Sequence, residues 1–318
     1  MSDAPVRNNS DLTAELVRDL IKERRRDRRW RNLRFFAGFI LLCLVVLGLF
    51  AGSEGSMSDA EPGAGKGYVA FMRLSGLISA ETPFSAEKVI PQLKQAFMDK
   101  DAKGVLLDID SGGGTPVQAA IIHDEIIALK KKYHKKVIIV GEDLLASGAY
   151  FVAVSGDKIY VNANTITGSV GVIMAGFGFP EVIKKIGVER RVYAAGDHKD
   201  RLDAFLPEQA DDTLKIHNLL AEVHDNFIQA VTAGRQGKLT GDPKELFSGD
   251  FWTGTTAVKL GLVDGIGDMW DVMHNEFKVA RYKDYSADEG LLKSVLSKVG
   301  SALNLPLKTE QMRLWSTF

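Results

Sequence analysis

Two hydrophobic patterns divide the chain. From Phe35 to Gly52, eighteen residues run without a charge (FFAGFILLCLVVLGLFAG). As a helix this run would reach roughly 27 Å, near the thickness of a bilayer core. It is apolar on every side and borders a basic block, unlike a helix buried in a soluble core. The 34 residues ahead of it are too many for the n-region of a cleaved signal peptide. The pattern predicts one transmembrane helix over 35–52. The basic block, nine Lys/Arg against three acids in residues 18–34, places the N-terminus in the cytoplasm and the rest across the inner membrane. Residues 1–34 then form a cytoplasmic basic segment and residues 53–66, small and glycine-rich, a flexible linker.

The second pattern begins at about Gly67. Short apolar runs at Tyr68–Leu74, Gly104–Ile109, Lys136–Val140, Lys158–Val161, Val170–Met174 and Arg191–Ala194 predict strands. Stretches at Ala86–Met98, Pro116–Lys132, Gly148–Ser155, Pro180–Ile186, Glu208–Thr232 and Thr255–Leu260 predict helices. Strands alternating with helices make residues 67–287 an α/β domain with helix-covered sheet. Thr115 is placed to cap the helix at Pro116, whose Ile122, Ile126 and Leu129 form a buried stripe. Residues 288–318, apolar and basic, are a C-terminal tail of undecided role.

Composition narrows the function. A net charge of −1 over 318 residues gives no bulk attraction to nucleic acid. The single cysteine, Cys43, excludes an intramolecular disulfide and a cysteine zinc site. No H-E-x-x-H occurs and the six histidines are scattered, so neither metal nor cofactor is expected.

Candidate chemistry gathers in two segments. Ser147, in LLASGAY, lies between an apolar run and a helical stretch, near unpaired N–H groups and a positive dipole end. That setting suits a nucleophile or a plain N-cap. Asp110–Pro116 (DSGGGTP) is a glycine turn from strand to helix. It departs from GxGxxG at Val117, which leaves an anion site, an oxyanion hole or a tight turn. His123, His134, His217 and His224 read as surface residues. His198 has a loop setting, so a Ser-His-Asp triad stays open.

In order along the chain, DIDSGGG (108–114), LLASGAY (144–150), TGSVGV (167–172), GDHKD (196–200) and WTGTTAVKLGLVDGIG (252–267) resemble the bacterial signal peptide peptidase A (SppA) family in its short, single-domain form. The resemblance implies a ClpP/crotonase-like fold of repeated β-β-α units and a membrane-bound serine peptidase. It implies Ser147 as nucleophile, Lys199 as general base, Ser169 as the residue orienting that lysine, and backbone N–H groups of Gly114 and Gly148 as the oxyanion hole. A lysine takes a proton only when neutral, so such a site must strip it of water. The implied substrates are remnant signal peptides and other apolar peptides, the implied assembly a homo-oligomer that shares sites between protomers. A crotonase-like acyl-thioester enzyme and a catalytically inactive membrane-anchored interaction protein are the competing readings.

Overall fold

The computed structural model describes residues 34–40 and 67–286. The described domain is one mixed sheet covered by helices. Strand β1 (Tyr68–Ser75), helix α1 (Ala86–Met98), β2 (Ala102–Ser111), α2 (Pro116–Tyr133) and β3 (Val137–Ala146) follow in succession. Then come α3 (Gly148–Ala153), β4 (Lys158–Val161), β5 (Ile166–Gly168), α4 (Pro180–Lys185), α5 (Ala210–Gly234), α6 (Pro243–Leu246), β6 (Phe251–Thr253) and α7 (Gly254–Lys259). β7 (Gly265–Ile266), α8 (Met269–Val272) with a π-turn at Met273–Phe277, and β8 (Tyr282–Asp284) complete it. The main path of the sheet runs β6-β5-β3-β2-β1-β8, with β4 on β3 and β7 on β4. Only β5–β6 is antiparallel.

Parallel strands covered on both faces are apolar over most of their length, which is why the middle of β2, Val105–Leu107, is continuously apolar up to Asp108. Val105, Leu107 and Ile109 enter the larger core with Val89, Leu93 and Phe97 of α1 and Ile122, Ile126 and Leu129 of α2. Leu106 points to the other face, where Ile138, Val140, Met273 and Phe277 form a second core. The stripe expected on α2 is therefore buried. Thr115 does occupy the cap position, but its side chain makes no capping bond.

β3 runs six residues beyond the expected end at Val140. Its Gly141 pairs with Ile109 and its Leu145 with Ser111, so residues 142–144 bulge opposite Asp110 alone. The Asp110 side chain fills the gap, accepting the Leu144 N–H at 3.1 Å. The bulge re-aims the strand. Before it, Ile138–Gly141 pair with β4; after it, Leu144–Ala146 pair with β5. This polar interruption broke the apolar run on which the shorter strand was predicted.

Three expectations are corrected here. Val170–Met174 and Arg191–Ala194 are not strands, and β5 lies earlier, at Ile166–Gly168. From Gly171 to Asn226 no residue is buried, so the apolar pattern there marks an exposed arm. The placement in a membrane is also overturned: among the described residues no helix is long and apolar enough to cross one. Of the predicted span only residues 35–40 are described, within a helical stretch over 34–40. The rest of that span, the linker and the whole tail lie outside the described residues.

Candidate active site

Ser147 is the junction between β3 and α3. It sits at the N-cap position with φ 52° and ψ −125°, and its hydroxyl makes no capping bond. The simple N-cap reading therefore fails. A left-handed φ on a residue with a Cβ is strained and persists only where the surroundings impose it. Here both sides are pinned: the Ser147 N–H donates to Gly168 C=O at 2.9 Å, and its C=O accepts the Phe151 N–H at 2.9 Å. Ala149, Tyr150 and Val152 behind it are fully buried. The half-buried hydroxyl has no hydrogen-bond partner among the described residues.

The glycine turn packs directly on this serine. A Cβ on Gly113 would come within 2.8 Å of Ser147 Cβ and 2.7 Å of the Gly148 nitrogen. A Cβ on Gly114 would collide with the Ile78 carbonyl, and Gly114 has φ 155°. Only glycine permits this approach. The turn is fixed by the Ser111 hydroxyl, which accepts the Gly113 N–H at 3.1 Å, and by a bridge to Ile78. In that bridge Ile78 N–H donates to Gly113 C=O and Thr115 N–H to Ile78 C=O, each within 2.9 Å. The Gly114 N–H is left out of the pairing. Gly148 opens α3, so its N–H has no intrahelical acceptor. Gly114 and Gly148 adjoin: a Cβ on Gly148 would lie 3.2 Å from the Gly114 nitrogen. Two free amides next to a free hydroxyl can hold a developing oxyanion.

Ser169 comes to the same place. Ala146 pairs with Gly168, so the residues that follow, Ser147 and Ser169, leave adjacent strands side by side. Ser169 also has φ 52°, and its N–H donates to Asp250 C=O at 2.7 Å. Lys199 is not joined to them. It is exposed, in a turn closed by its N–H to Gly196 C=O, and its ammonium makes no bond among the described residues. Asp203 is turned to Arg190, whose guanidinium holds it below the usual carboxylate range. Arg201, two residues beyond Lys199, pairs with Asp211 and Asp212 at the start of α5. A cleft of about 1070 Å³ lies beside this turn, lined by residues that include Asp197, His198 and Arg201, and not at Ser147.

The triad through His198 is not formed: that ring is exposed and its Nδ1 faces Arg201 at 3.2 Å. Two histidines expected on the surface are partly buried. His123 packs edge-on against Phe151 at 5.2 Å. His224 Nε2 lies 2.9 Å from Val170 C=O, beside Ser169. Spacing along α5 could have hinted at this, since Phe227 and Val231 mark its buried side and His224 falls on that stripe. Among the described residues no group of His, Cys, Asp or Glu could hold a metal.

On β2, opposite Val140, Asp108 is fully buried. Its Oδ2 accepts Arg73 Nε at 2.9 Å, while Oδ1 has no conventional donor. Burial and then the Glu142 carboxyl of the β3 bulge push Asp108 up to about 7, against the pull of Arg73. When protonated, Asp108 can donate from the oxygen that otherwise has no partner.

The description "Peptidase family S49" matches residues 129–282, a span that holds Ser147, Ser169, Lys199 and His224. A protein of Brucella melitensis named Na(+)/H(+) antiporter NhaA is 44% identical over 228 residues, 71% of this chain and 31% of that protein. The chain thus spans about a third of that relative, whose name describes the whole. A protein of Enterococcus faecium named "Putative signal peptide peptidase SppA" is 28% identical over 290 residues, covering 82% of this chain and 84% of that one. A Synechocystis protein named as a "Putative protease" is 31% identical over 202 residues, covering 63% and 69%. With the strained serine, the glycine turn and these matches together, the chain belongs to peptidase family S49, the serine peptidases of the SppA type.

Proposed function

We propose that the protein is a serine endopeptidase of ClpP/crotonase-like topology that cuts apolar peptides, remnant signal peptides among them. The observation that carries this reading is the free Ser147 hydroxyl on a strained turn, facing the two unpaired amides of Gly114 and Gly148. A resting protein gains nothing from that strain, whereas an acyl-transfer site needs a nucleophile held away from its cap. In the proposed reaction Ser147 attacks the peptide carbonyl while Lys199 takes its proton. The oxyanion rests on the Gly114 and Gly148 amides. The lysine then protonates the leaving amine, and water releases the acyl group. Ser169 orients the lysine.

In this scheme the lysine comes from a neighbouring protomer in a homo-oligomer. Two features support that. Lys199 is exposed and unbonded among the described residues, and its arm displays large apolar side chains such as Ile173, Phe177 and Tyr193. Burial against a second copy would strip the ammonium of water, as base catalysis requires. The competing acyl-thioester chemistry needs the oxyanion turn but not Ser147, and so leaves its strain without a purpose.

The test is covalent labelling of Ser147 by a fluorophosphonate, mapped by mass spectrometry, together with peptide turnover. Ser147→Ala and Lys199→Ala should each abolish turnover without unfolding the domain. Mixing the two inactive variants should restore part of the activity. Turnover retained by Lys199→Ala rules out the dyad, and no recovery despite proven subunit exchange rules out the shared site.

A further inference from the structure

The turn from Gly168 to Gly171 is tied down at four points. Gly168 C=O accepts the Ser147 N–H, Ser169 N–H donates to Asp250 C=O, and Gly171 N–H donates to Ser169 C=O. The fourth tie is His224 Nε2 at 2.9 Å from Val170 C=O. Three of these are main-chain bonds, and only the fourth ends on a side chain. A carbonyl oxygen only accepts, so Nε2 must carry the hydrogen, and Nδ1 is then free in the neutral ring.

The location of this bond matters. Val170 is fully buried, and after it no residue is buried before Phe227. The His224–Val170 bond therefore closes the base of the whole exposed arm. One helical turn beyond His224, Phe227 packs on Phe151 of α3 with ring centroids 5.1 Å apart. The Phe151 amide in turn binds the Ser147 carbonyl. Towards the other end of α5, Asp212 holds Arg201 in the Lys199 turn, roughly 18 Å from His224 along the helix axis. α5 is thus a strut with the arm at one end, the nucleophile's helix at the other, and His224 at the joint.

We propose that His224 is a positioning residue: its Nε2–H fixes the Val170 carbonyl, and so sets Ser169 beside Ser147 and the departure angle of the arm that carries Lys199. This rests on the reading of Ser147, Lys199 and Ser169 given above. His224→Gln keeps an N–H donor of similar reach, while His224→Leu keeps bulk without the donor.

The experiment measures kcat and KM on a fluorogenic apolar peptide, and melting temperature, for the full chain carrying each variant. For His224→Leu, kcat should fall about tenfold to a hundredfold with KM within about twofold, as displacement of a positioned group does. His224→Gln should recover most of the loss. Since His224 acts in part through Ser169, the double variant His224→Leu/Ser169→Ala should lose less than the product of the two single losses. Wild-type kcat in His224→Leu, equal impairment in His224→Gln, or multiplying effects in the double variant would overturn the proposal. Should His224→Leu not fold, His224→Glu replaces it, having the reach of Gln without a donor; activity equal to Gln is then the overturning result. Lys199→Ala is run in parallel. Turnover retained there defeats the dyad and leaves His224 to be judged by the Ser169 cycle alone.

Discussion

Replacing Asp108 by Asn should make this protein more stable in alkali than its parent. Asp108 is buried on β2 opposite Val140, with Arg73 on one oxygen and the Glu142 carboxyl nearby. Burial and Glu142 push its carboxyl up to about 7, against about 3.9 in an unfolded chain. Between those values the folded protein holds a proton that the unfolded one has lost. Folding stability must therefore fall as pH rises from about 4 to about 7, and level off above. A shift of about three units corresponds to about 4 kcal/mol, a ceiling that water entry and side-chain relaxation will lower. Asn keeps the shape: its carbonyl oxygen accepts Arg73, and its NH₂ donates to Glu142 without a titrating proton. Urea unfolding of both proteins at pH 5 and pH 8 isolates the effect, because all other groups cancel in the difference. The variant should gain about 1–3 kcal/mol on its parent between the two pH values. An unchanged difference would refute the buried proton on Asp108.

Three further outcomes are expected. Gly114→Ala should lose fluorophosphonate labelling of Ser147 by a hundredfold or so while the domain stays folded, since its Cβ would collide with Ile78 and move an oxyanion amide; labelling at the wild-type rate would contradict the placement. In acid the domain should lose stability between about pH 4.5 and pH 2. Glu276, held down to about 2 by Lys136, Lys158 and Tyr160, and Asp99, held down to about 2 by hydrogen bonds from Tyr285 and Tyr68, must take up protons there. Glu276→Gln should flatten that slope in acid titrations followed by circular dichroism. Tyr150→Phe should destabilise the fold by about 1–3 kcal/mol, because the buried Leu262 carbonyl loses the hydroxyl that donates to it at 2.6 Å; a melting temperature equal to wild type would contradict this.

Local repetition along the chain accounts for one part of this structure. The apolar runs of β1 and β2, the stripe of α2 and the Pro116 start follow from side-chain pattern within a few residues of each position. Ser147 and the glycine turn were legible in the same way, as short motifs at the ends of such elements. Tertiary structure decided the rest. The bulge at 142–144 exists because Asp110 on another strand fills the gap, and it turns the end of β3 onto β5, from which Ser147 and Ser169 leave side by side. His224 looked like a surface residue because its partner lies 54 positions away. The apolar runs at Val170–Met174 and Arg191–Ala194 have the composition of strands, but no neighbouring strand is there to accept their hydrogen bonds. Pairing across the sheet depends on which backbone edges meet, and no local period encodes that.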